Sequence, residues 1–160
     1  LLPNLSLQKL VHDNLSVIGG VAYSAQEKEF ADKIALTLGQ TKADLDRAVN
    51  IQPYKETARA YGSTDVGDVS FVVPTVGFGT ATWVPGTSAH SWQAVAAGGT
   101  SIGKKGMMVA AKTLTATVID LFNNQQLIVK AKAEFKNRRG ANFIYKPLLG
   151  NRPPALNYRK

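Results

Sequence analysis

The chain has 160 residues, 44% hydrophobic and 19% charged, a composition that suits one globular domain with a buried core. It has no cysteine, which excludes disulfides, thiolate metal ligands, a cysteine nucleophile and a cysteine-built zinc finger. No apolar run approaches the roughly 20 residues that span a bilayer, and Leu1-Leu2-Pro3-Asn4 lacks the basic start and apolar stretch of a signal peptide.

The formal net charge of +8 is unevenly spread. Residues 1–99 hold seven Lys/Arg against nine Asp/Glu, a net of −2, whereas residues 100–160 hold twelve against two, a net of +10. This asymmetry makes nucleic acid a candidate partner of a non-enzymatic binding module. The basic residues do not alternate with aromatics as a stacking surface requires, so a solvated helix face with a basic tail accounts for the charge better.

In chain order, Leu7, Leu10, Val11, Leu15 and Ile18 recur at helical spacing, predicting a helix from Asn4 that stops at Gly19-Gly20. Ser24 with Glu27 three residues later forms a capping box, and Phe30, Ile34 and Leu38 mark the inward face of a second helix that ends before Gly39. Residues 40–62 read as an irregular crossing. Val69, Phe71 and Val73 alternate along Asp68–Pro74, predicting a strand, and Thr80–Val84 predicts another.

Beyond His90 the period changes. Gly98-Gly99-Thr100-Ser101 predicts a helix start, followed by an apolar stripe of Met107, Ala111, Leu114, Val118 and Leu121. Asn123-Asn124 interrupts it, and Leu127, Ile128, Ala131 and Phe135 mark a last helix ending near Arg139-Gly140. An extended tail with Pro147, Pro153 and Pro154 follows. The order helix, helix, strand, strand, helix, helix predicts an α/β layer, with helices packed on a small sheet over a single segment, 1–160.

Few residues suggest chemistry unaided. Ser63, Asp65 and His90 assemble into a Ser/His/Asp set on paper, but no Gly-x-Ser-x-Gly elbow is present. Gly98–Gly106 is glycine-rich and precedes a helix, yet its lysines fall before the last glycine, unlike a phosphate-binding loop. The favoured reading is a helix cap. His12, beside Asp13, reads as a surface histidine. His90 lies in a glycine-flanked loop, where a neutral imidazole is a good metal ligand. One ligand does not make a metal site.

Three stretches carry a resemblance: Gly62-Ser63-Thr64-Asp65-Val66-Gly67-Asp68-Val69-Ser70, Val73-Pro74-Thr75, and Gly86-Thr87-Ser88-Ala89-His90-Ser91-Trp92-Gln93. Together they resemble the C-terminal part of the co-catalytic-metal amidohydrolases, the family of aminoacylases and glutamate carboxypeptidases, nearest to its aminobenzoyl-glutamate hydrolases. The resemblance implies the second half of a split α/β catalytic domain, with the lid domain absent. It implies hydrolysis of an acyl or aminobenzoyl amide of an amino acid such as glutamate, by a water activated on divalent metal ions, zinc or manganese. By motif position His90 is a metal ligand, with Thr87 and Ser91 hydrogen-bonding around it. The resemblance also implies that Ser63, Thr64 and Asp65 either touch substrate or hydrogen-bond around the metal site, with Asp65 bracing the loop beneath it. No His-x-Asp or Glu-Glu pair occurs in the chain, and both belong to the family's first half. The segment is therefore expected to carry no general base, to be inactive alone, and to hold metal only in the complete protein. The expected partners are a small-molecule amide, the missing N-terminal half, and a homologous or identical subunit through the absent lid. The expected location is cytoplasmic, away from membranes.

Overall fold

In the computed structural model, which describes residues 1–56 and 64–157, helices follow one another and no strand occurs among those residues. The helices are α1 (Leu5–Ile18), α2 (Ala25–Thr37), α3 (Asp46–Val49), α4 (Val66–Ser70), α5 (Trp92–Gly98), α6 (Ser101–Asn123) and α7 (Gln125–Arg139). The expected small sheet, and with it the α/β class, is therefore corrected to an all-helical arrangement among the described residues. No helix of the described residues is long and apolar enough to cross a membrane.

The helix boundaries follow the capping chemistry of the sequence. Asn4 caps α1 by accepting the Leu7 amide at 3.1 Å, and Gly19 closes the helix at φ 81°. Ser24 and Glu27 form the reciprocal box that starts α2. Thr100 caps α6, and Asn124 both ends α6 and caps α7. Gly140, at φ 86°, follows α7.

Two sets of contacts hold the helices together. Ala31, Ile34, Ala35, Ala43, Val84, Ala97 and Ile102 form a buried cluster, with Phe30 and Leu38 packed against it. On the other side α1 lies against α6 and α7. There Asn4 Nδ2 donates to the Ala131 carbonyl at 2.8 Å, and Asn14 Nδ2 donates to Asp120 Oδ2 at 2.8 Å.

Glu134 of α7 takes up free amides at the start of α1. Its carboxylate accepts the Leu5 amide at 2.7 Å, the Ser6 amide at 2.8 Å and the Ser6 hydroxyl at 2.6 Å. Arg138 Nε donates to the same carboxylate at 2.7 Å. Burial pushes this carboxyl up, but the donors from Ser6, Leu5 and Arg138 outweigh it and bring the pKa down to about 2.

Both predicted strands are replaced, for different local reasons. Val66–Ser70 turns into α4, where Ser70 Oγ donates to the Gly67 carbonyl at 2.6 Å and accepts the Leu2 amide at 2.8 Å. Phe71 then stacks on Phe143 of the tail, with ring centroids 5.1 Å apart. Residues 80–84 have no ladder partner among the described residues and pass over α6 instead. A Cβ at Gly106 would lie 2.2 Å from the Ala81 carbonyl oxygen, so glycine is what allows this approach. Gly103 likewise faces the Gly98 carbonyl, at 2.2 Å from an added Cβ. The glycines of the 98–106 run thus serve packing.

The α6 helix is turned opposite to its sequence pattern. Its buried residues are Ile102, Gly103, Gly106, Thr113 and Thr117. Both threonines satisfy their hydroxyls within the helix, Thr113 on the Val109 carbonyl and Thr117 on the Thr113 carbonyl, each at 2.8 Å. The apolar stripe that predicted the core face points outward: Met107 is 57% exposed, Leu114 51% and Val118 48%.

Candidate functional site

The loop that carries His90 is pinned at both ends. Val84, 1% exposed, roots it in the core, and the Thr87 amide donates to the Val84 carbonyl at 3.1 Å to close a turn. Gly86 supplies φ 92° within that turn. At the far end Ser91 caps α5, accepting the Ala94 amide at 3.2 Å while donating to the Ser88 carbonyl at 2.7 Å. Ala94 and Ala97 hold α5 in the interior.

Between these anchors His90 takes φ 60°, the one positive φ at a non-glycine among the described residues. Such a conformation costs about 1 kcal/mol or more for a side chain with a Cβ, and the two anchors impose it. The result is an exposed imidazole, and neither of its nitrogens takes part in a hydrogen bond among the described residues. It borders an open groove of about 560 Å³ lined by Trp83, His90, Ser91, Trp92, Ala94 and Val95. Two tryptophan side chains and an imidazole without a hydrogen bond among the described residues line a groove that can take a flat apolar group.

The other sequence-selected residues lie as follows. Thr87 is half-buried beneath the loop, and its hydroxyl has no protein partner among the described residues. Ser91 is committed to capping. Thr64 and Asp65 are exposed at the start of α4; Thr64 Oγ1 accepts the Val66 amide at 3.3 Å, and the Asp65 carbonyl accepts the Asp68 amide at 3.1 Å. No hydrogen bond links either of them to the His90 loop among the described residues. Ser63 lies outside the described residues.

A metal site needs several converging donors. Among the described residues no three His, Asp or Glu side chains come together as a possible metal group. The described residues therefore do not fit a metal by themselves, and His90 is a single available donor.

A second concavity escaped the sequence reading. A cleft of about 440 Å³ opens between α1, α3 and the 77–81 segment, with Val11, His12, Tyr54 and Phe78 among its walls. His12 Nε2 lies 3.0 Å from the Gln52 carbonyl, and its ring meets Tyr54 edge-on at 5.4 Å. No helical or strand period covers residues 50–55, so no sequence signal marked this wall. The basic residues of the last third are partly spent internally: Lys105 on Glu27, Arg138 on Glu134, and Arg139 over the Phe135 ring at 4.7 Å.

No family model matches the chain, and no solved structure matches it. Among curated proteins it is similar to one of the subunits of p-aminobenzoyl-glutamate hydrolase from Escherichia coli (strain K12), at 30% identity over 180 residues. That match takes in 96% of this chain and 37% of the relative, so the chain spans well under half of the relative's length. The pinned His90 loop thus sits in a chain that is similar, along nearly all its length, to part of a hydrolase subunit.

Proposed function

We propose that the chain forms part of a metal-dependent amidohydrolase that cleaves an acyl or aminobenzoyl amide of an amino acid such as glutamate. In this reading His90 supplies one ligand to a divalent ion, zinc or manganese, and the remaining ligands and the general base come from residues outside this chain. The observation that carries the reading is the His90 loop: a strained, doubly anchored, unpaired imidazole within a chain similar to a p-aminobenzoyl-glutamate hydrolase subunit. A strained backbone retained at an exposed residue has a cost that stability alone does not explain.

The bound ion would provide Lewis-acid activation of the amide carbonyl and a nucleophilic water. This chain's own residues would do simpler work. The Gly86 and Ser91 anchors fix the direction of the imidazole, and Trp83 and Trp92 offer flat faces to an aromatic acyl group. Thr87 beneath the loop offers a hydroxyl that can orient it. The relative's designation as a subunit supports assembly with a second subunit.

The test is turnover of p-aminobenzoyl-glutamate by the assembled hydrolase. His90→Ala is expected to lower kcat/KM at least 100-fold, with the helical content unchanged. Turnover equal to that of the unaltered protein would overturn the assignment.

A further inference from the structure

The tail after α7 is fixed at its root and bare at its tip. The Phe143 amide donates to the Gly140 carbonyl at 3.4 Å, and the Phe143 ring rests on Phe71. Beyond that root, Pro147-Leu148-Leu149-Gly150 closes a turn, with the Gly150 amide donating to the Pro147 carbonyl at 3.4 Å and Gly150 itself at φ 61°. A turn of this kind puts its two central residues at the corner. Such corners ordinarily carry Gly, Pro, Asn, Asp or Ser. Here both are leucines, Leu148 fully exposed and Leu149 65% exposed.

The charge around this corner has one sign. Residues 135–160 hold seven Lys/Arg and no Asp/Glu. Arg138 is engaged by Glu134, and Arg139 lies over the Phe135 ring. Lys146, directly before the turn, and Arg152, two residues after it, are exposed and form no ion pair among the described residues. Ile144 and Leu156 add exposed apolar side chains on either side.

We infer that the 146–152 turn is a contact through which this chain rests on an anionic lipid surface. Leu148 and Leu149 enter the boundary between headgroups and acyl chains, and Lys146 and Arg152 pair with lipid phosphates. In interfacial binding, buried apolar area and attraction to anionic lipid add together. Nucleic acid would meet the two cations but leave both leucines in water. An apolar groove on another protein would cover the leucines but strip water from the cations without pairing them. A lipid surface answers both halves of the turn. The contact is peripheral, departs from the expectation that the chain keeps away from membranes, and is independent of the proposed activity.

The experiment sediments the chain with vesicles of phosphatidylcholine containing about 30% phosphatidylglycerol, and with vesicles of phosphatidylcholine alone, in about 0.15 M salt. The expected result is partition into the anionic vesicles about tenfold or more above the neutral ones. Leu148→Ser combined with Leu149→Ser should lower that partition about tenfold or more. Lys146→Gln combined with Arg152→Gln should lower it about 30-fold. Leu36→Ser, at an exposed leucine of α2, is the control and should leave it unchanged. All variants alter exposed side chains, and circular dichroism should show the same helical content in each. No partition, equal partition onto both kinds of vesicle, or leucine substitutions without effect would each overturn the proposal. The last of these, together with retention of duplex DNA, would assign the tail to nucleic acid instead.

Discussion

Lys105 Nζ in the second turn of α6 lies 2.6 Å from Oε2 of Glu27, the residue that completes the capping box of α2. The same ammonium donates to the Ala22 carbonyl at 2.7 Å, so one cation ties α6 to both the start of α2 and the turn before it. The Lys105 hydrogen bond, helped by the Ser101 hydroxyl, brings the Glu27 pKa down to about 2 against an ordinary 4.5.

Acid should therefore loosen the fold in a defined window. A carboxylate depressed in the folded state stabilises it above the unfolded value, and that gain disappears as pH falls from about 4.5 toward about 2. Glu27 should contribute on the order of 2 kcal/mol, once the partial exposure of Lys105 is allowed for. Glu27→Gln should lower stability near neutral pH and flatten its slope below pH 4.5. Urea midpoints measured from about pH 7 to about pH 2.5 check this, and an unchanged slope would contradict it.

Glu134 works at the other junction. Glu134→Ala leaves the Leu5 and Ser6 amides without their carboxylate and uncouples α7 from α1, at a cost of about 1–3 kcal/mol. Hydrogen exchange should show the first turn of α1 opening before the rest of the helix. Uniform exchange along α1 would count against the role given to this carboxylate.

Gly106→Ala sets a methyl group 2.2 Å from the Ala81 carbonyl oxygen. Overpacking against backbone should cost about 2 kcal/mol, readable as a lower Tm. Gly77→Ala is the control, since nothing lies within 4 Å of its added Cβ. Equal effects of the two substitutions would remove the packing argument.

The four longer helices, α1, α2, α6 and α7, were legible in the sequence because their determinants are local, whereas α3 fell in a stretch read as irregular, α4 in a stretch read as a strand, and α5 went unmarked. Asn4, Ser24, Thr100 and Asn124 are side chains that satisfy amides two or three residues away, and Gly19 and Gly140 release the chain at positive φ. The strands were not, because a strand depends on a neighbour that its own residues do not specify. Val69, Phe71 and Val73 alternate correctly, but Ser70 finds Leu2 and Gly67 instead, and α4 forms. The orientation of α6 also went against its pattern: Gly103 and Gly106 admit backbone at close range, and that contact decided which face turned inward. Of the site, the sequence marked His90 and its flanking turn. It did not reveal the strain at φ 60° between the anchors at Val84 and Ser91, or the groove that Trp83 and Trp92 line beside it.

His90 also allows its strain to be separated from its chemistry. His90→Gly should relieve the positive φ and leave stability unchanged or raise it by up to about 1 kcal/mol, while removing the imidazole. Thermal unfolding compared with His90→Ala distinguishes the two effects. A glycine variant less stable than the alanine variant would show that the backbone there is not strained.

The most direct measurement is the metal content of the complete protein, taken by mass spectrometry of the bound ions after gel filtration, with and without His90→Ala. The variant is expected to keep its assembly and to lose about one equivalent of zinc or manganese per chain, along with turnover. An assembled variant with the full metal complement would contradict it, leaving His90 a loop residue with no part in the chemistry.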